Sequence, residues 1–167
     1  MILFLDFDGV LHPDRCRPER QFAALPLVEA VVREFPGVEI VISSAWRLDY
    51  AKTQEAVLAL RAHFSRDIQH RIVGVTGDAS NVSFKDMPFG LDTYVRQAEC
   101  MGWLQMHRPA FTPWLALDDG ADLFQPLCPN LMLLDGQKGF LPAHEEVLRA
   151  HLRTHTHSHG QTGKGGV

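Results

Sequence analysis

Two aspartates one residue apart, Asp6 and Asp8, end the first apolar run of the chain, and Gly9 follows them. A second acid pair, Asp118-Asp119, ends another apolar run far along the sequence, and Ser43 and Ser44 close a third, with Arg47 just beyond. Carboxylates gathered in one place repel: two like charges ~4 Å apart cost about 4 kcal/mol at an effective dielectric of about 20. A divalent cation removes that conflict. An all-oxygen set of carboxylates, a backbone carbonyl and waters suits Mg²⁺, and no His or Cys pair at these positions argues for zinc.

The D-x-D spacing has a mechanical sense, because side chains at i and i+2 of an extended chain point the same way. Asp6 can then face a phosphorus atom as nucleophile, while Asp8 protonates the leaving oxygen and later takes a proton from water. The carbonyl of Phe7 or Asp8 is free for a metal, and Gly9 permits a sharp departure of the chain. Each feature also has a plain structural reading. Asp8-Gly9 can be a turn, Ser43-Ser44 a helix N-cap, and Asp118-Asp119 an N-cap for the residues after it.

The elements that must hold these residues follow from hydropathy patterning. Short apolar runs at 2–5, 38–42, 71–76, 114–117 and 131–134 read as strands, and helical spacing marks 26–35, 48–64, 92–106 and 142–153. Pro26 suits a first helical turn, and Pro36-Gly37 stops that helix. Residues 12–22 and 77–91 read as loops. Strand alternating with helix predicts an α/β domain of three layers, Rossmann-like, around a mostly parallel five-stranded sheet. In such sheets ligands sit beyond the carboxyl ends of the strands, where both acid pairs and the serines fall.

In this frame DFDGV, VISS, an upstream base and LDD resemble the four motifs of the haloacid dehalogenase (HAD) superfamily of phosphohydrolases, over roughly residues 1–150. The resemblance implies Asp6 as nucleophile, Asp8 as acid/base, and Ser43, with Ser44 as the alternative, on a phosphoryl oxygen. It implies a Mg²⁺ sphere drawn from Asp6, Asp8, Asp118 and Asp119. Its third motif is a lone base before the fourth strand; Arg96 fits the spacing and Lys85 is the rival. No gap holds a sizeable cap, which by resemblance implies a large substrate or a partner that shields the site; an open site fits a phosphorylated protein or a nucleic-acid end, and nucleotides are a further candidate. Arg47 can take further phosphate oxygens bidentately, and SSAWR is similar to the Ser-Gly-Arg of polynucleotide 3′-phosphatases. Trp46 and His12 can then stack on or hydrogen-bond a base, and Arg15, Arg17 and Arg20 make the 12–22 loop locally basic. A receiver-like phosphoacceptor module is the rival class, although no acid closes 71–76.

The 167 residues predict one domain over 1–152, burying roughly 70% of its unfolded surface. The tail at 153–167 reads as disordered, with His155, His157 and His159 alternating. A net charge of −4 gives no global pull toward nucleic acid or an anionic membrane. Three scattered cysteines and no long apolar span predict a cytoplasmic protein that does not enter membranes.

Overall fold

The computed structural model describes residues 1–78 and 90–157. Five strands, β1 (Ile2–Leu5), β2 (Glu39–Ile42), β3 (Ile72–Val75), β4 (Trp114–Asp118) and β5 (Leu131–Leu133), form one sheet in the order β3-β2-β1-β4-β5, every pairing parallel. The helices are α1 (Leu25–Glu34), α2 (Thr53–Arg61), α3 (Arg66–Gln69), α4 (Val95–His107) and α5 (Pro142–His157). The expected α/β architecture is therefore present, with β1 at its centre.

Burial on both faces explains why the strands read as continuous apolar runs rather than alternating ones. Leu3 and Leu5, with Ile40, Ile42, Leu115 and Leu117, face a core completed by Val28, Val31 and Val32 of α1, Leu60 of α2 and Leu148 and Leu152 of α5. Ile2 and Phe4, with Val41 and Ala116, face a smaller core filled by Cys100 and Trp103 of α4 and by Phe124. Each such side chain, fully buried, contributes about 1.5–3 kcal/mol. Gly74 in β3 makes room for this second layer, since a Cβ there would lie 2.9 Å from the Trp103 indole nitrogen.

Two expected helices come out differently. The single helix over 48–64 is instead a 3₁₀ turn at Ala45–Asp49 followed by α2, and α3 begins beyond it. Trp46 and Arg47 are held by distant partners, described below, and those anchors fix a tight turn where propensity alone would run a longer helix. The last helix continues to His157 rather than stopping at 153, so His155 and His157 lie on helical backbone. Lys85 and residues 158–167 lie outside the described residues.

Candidate active site

The strand register carries the site. Leu5 pairs with Ile42 on one side and Leu117 on the other, and Ile42 pairs with Val75. One residue further, Thr76, Ser43, Asp6 and Asp118 form a lateral row across four strands, tied by Thr76 N–H to Ile42 O (3.0 Å), Ser43 N–H to Leu5 O (3.0 Å) and Asp6 N–H to Leu117 O (3.1 Å). Period-two alternation turns all four toward the α4 side of the sheet. All four are buried. Among the described residues, the Ser43 hydroxyl, the Thr76 hydroxyl, Asp118 Oδ2 and Arg96 Nη1 are buried polar atoms with no hydrogen-bond partner. Native proteins rarely leave such groups unpaired, and each asks for a ligand.

Arg96 reaches the row from the first turn of α4. Its Nη1 lies 3.6 Å from Asp6 Oδ2 and 3.4 Å from Asp118 Oδ2. These separations allow charge attraction but are too long for strong hydrogen bonds, so the donors stay available. Burial works against its charge, but Asp6 and Asp118 outweigh that and raise its pKa above the usual arginine value. Burial pushes the Asp118 carboxyl up to about 7, with Arg96 opposing and Asp6 adding to the shift. Asp119 is pushed up to about 6 by burial, then by Asp14 and Asp6.

Asp6, Asp118 and Asp119 each offer an oxygen within 4.8 Å of the others'. The crowding and the unpaired Asp118 oxygen fit a small hard cation. Two glycines hold Asp119: Gly9, at φ +68° as the sharp turn requires, and Gly136 both leave space that a Cβ would take from its carboxylate. Asp118 does part of the capping its position suggested, accepting from Gly120 N–H through Oδ1 (2.9 Å) and leaving Oδ2 free. The two serines divide their roles similarly. Ser44 caps the 3₁₀ turn by accepting from Trp46 N–H (3.4 Å), while Ser43 keeps its hydroxyl unpaired.

Three candidates sit differently from expectation. The Asp8 carboxylate stands outside the three-aspartate group, because both of its oxygens are hydrogen-bonded elsewhere. Trp46 Nε1–H donates to Oδ2 (2.7 Å), and His12 Nε2 lies 3.0 Å from Oδ1. Phe22 N–H donates to His12 Nδ1 (3.2 Å), which leaves Nε2 to carry the proton toward Asp8. Trp46 and His12 therefore position Asp8, in an aromatic cluster with Phe7 and Phe22, and do not stand ready for a base.

Arg47 is likewise spent inside the protein. Nη1 donates to Ser43 O (2.7 Å) and Ser44 O (2.8 Å), and Nε donates to Thr76 O (3.1 Å). Nη2 donates to Gly77 O (3.2 Å) and pairs with Glu99 Oε2 (2.7 Å). All five donors of the guanidinium are taken, so none is left for a phosphate. Glu99 in turn lies 3.4 Å from Arg96 Nε, which links the strut to the row.

Sequence reasoning missed Asp14, Thr76 and Glu99. Thr76 carried a signal, as the residue closing the third apolar run; Asp14 carried none, since only the folding of its loop brings it to Asp119.

A family model described as the HAD domain in Swiss Army Knife RNA repair proteins matches residues 2–144. No curated protein and no solved structure matches the chain.

Proposed function

This chain belongs to the family of HAD domains found in Swiss Army Knife RNA repair proteins, and from that premise we propose that it is a Mg²⁺-dependent phosphomonoester hydrolase working on nucleic-acid ends or nucleotides. The observation that carries the reading is the buried row Thr76–Ser43–Asp6–Asp118 with its unpaired polar atoms facing Arg96. Asp6 attacks phosphorus, the bond to the leaving oxygen breaks, and Asp8 gives its proton to that oxygen. Asp8 then takes a proton from water, the water oxygen attacks the aspartyl-phosphate, and phosphate departs with Asp6 restored. The Ser43 hydroxyl donates to a phosphoryl oxygen, and the Arg96 guanidinium neutralises the charge gathered there. Asp6, Asp118 and Asp119 would hold Mg²⁺, which would supply positive charge against the phosphoryl oxygens.

Arg47 fixes the loops after β2 and β3 and touches no substrate. The sheet order favours this reading over a receiver-like module, whose fold carries the order 2-1-3-4-5. Cys16, Cys100 and Cys128 are all free, which is in keeping with a cytoplasmic setting. The deciding experiment is turnover of p-nitrophenyl phosphate with Mg²⁺ by the protein and by Asp6→Asn, with acid-quench capture of the phosphorylated residue. Turnover lost in the variant and phosphate trapped on Asp6 is the expected result; turnover that survives the substitution overturns the mechanism. A panel of phosphorylated oligonucleotides, nucleotides and sugar phosphates tests the substrate class, and preference for sugars refutes it.

A further inference from the structure

The loop after β1 and the loop after β5 are stitched together beside the acid cluster. Asp14 N–H donates to Gly136 O (2.8 Å) and Phe140 N–H to Val10 O (2.7 Å), while Cys16 N–H closes a turn on Pro13 O (3.2 Å). Between the two loops runs an open groove of about 580 Å³ whose lining includes Asp14, Arg15, Arg17, Arg20 and Lys138. Its lining reaches Asp14, whose carboxylate stands beside that of Asp119 and helps push the Asp119 pKa up. A Cβ at Gly136 would meet both of these carboxylates. The groove thus begins at the edge of the phosphate site and leads outward.

Its charge is what a polyanion needs. Lys138 is paired with Asp135 (2.9 Å), but among the described residues Arg15, Arg17 and Arg20 form no ion pair, and all three are exposed. The same loop also carries Asp14 and Glu19, so its arginines outnumber its acids by only one. Arg15 sits at φ +55°, where a residue with a Cβ is rarely found. A chain of regularly repeated phosphates answers all three.

We propose that this groove is the track of a single-stranded polynucleotide, whose phosphodiesters lie against Arg15, Arg17 and Arg20 while its terminal phosphate enters the row at Asp6. The track rests on the phosphatase reading only for which end of the strand lies at Asp6. It gives an acidic protein a local basic path to the site, which the net charge of −4 conceals.

The test separates binding from chemistry. Affinity for a short, fluorescently labelled single-stranded RNA with a terminal phosphate is measured by anisotropy, in chelator and over a salt series, for the protein and for the triple variant R15Q/R17Q/R20Q. The expected result is binding weakened roughly tenfold or more, with the log–log salt slope reduced by about 2, near 0.7 per lost phosphate contact. Equal affinity and slope in the two proteins overturn the track, as does a phosphopeptide that competes as well as the RNA. Turnover of p-nitrophenyl phosphate is followed in parallel. Unchanged turnover in the variant supports a role in holding the polymer alone, and a tenfold loss there overturns that role. Absence of turnover in the unmodified protein counts against the phosphatase reading and leaves the binding comparison to decide the groove.

Discussion

The two oxygens of Asp8 have different partners, Trp46 Nε1–H on one and His12 Nε2 on the other. Trp46→Phe keeps a ring but removes the donor that orients Asp8 toward the leaving oxygen, so it will lower kcat by about tenfold. KM will change little, and the loss will be larger for alkyl phosphates than for p-nitrophenyl phosphate, whose leaving group needs no proton. Equal losses on both substrates would remove Asp8 from proton transfer. Ser43 behaves in the opposite way energetically. Its buried hydroxyl has no partner to lose, so Ser43→Ala will leave the melting temperature unchanged or raise it, while kcat/KM drops roughly 10- to 100-fold. Paired thermal melts and kinetics check both halves. Residue types and position singled out Asp6, Ser43 and Asp118, because each lies at a strand's carboxyl end, and Asp8 by its D-x-D spacing from Asp6. His12 and Trp46 were legible as chemistry-bearing residues but not in their roles, since the partner each finds is distant or set by loop folding.

Among the elements, the turn at Ala45–Asp49 shows why the helix expected over 48–64 starts only at Thr53. Helical spacing of apolar residues over 48–64 is a local signal. Arg47 overrides it by binding four carbonyls at the ends of β2 and β3 together with Glu99 on α4. Burial pulls the pKa of Arg47 down, with Glu99 opposing, as for a charge kept inside the protein by its partners. Arg47→Met will therefore destabilise the fold by about 3–5 kcal/mol, because Glu99 is left as a buried charge short of a partner. Urea denaturation measures this, and a loss below ~1 kcal/mol would return Arg47 to the list of phosphate ligands. The strands were legible almost to the residue because burial on both faces makes them uniformly apolar. The loops were not: nothing in 12–22 or 135–141 announces that the two meet.

At the scale of the whole molecule, the metal-free protein carries an electrostatic fault at its centre. Asp118 stands at about 7 and Asp119 at about 6, both above the ordinary carboxylate range. Between the unfolded and folded values the native state binds more protons than the unfolded one, so these groups make metal-free stability fall as pH rises from about 4 toward 7. A cation held by the ionised forms removes that loss. The rise in melting temperature on replacing chelator with Mg²⁺ will accordingly grow from pH 5.5 to pH 8, roughly following the two titrations. Taking the difference at each pH cancels groups far from the site, including His63, whose pKa burial lowers and which acts in the opposite direction. A Mg²⁺ shift independent of pH would place the cation elsewhere. No helix among the described residues is long and apolar enough to cross a membrane.

Asp119 is seated between two stretches of backbone, at Gly9 and Gly136, with the Asp14 side chain beside it. Side chains swing to suit a guest; stitched backbone does not. An alanine at position 136 would put its Cβ where an Asp119 carboxylate oxygen now lies, so Gly136→Ala would displace the one acid of the three that comes from beyond the strand row.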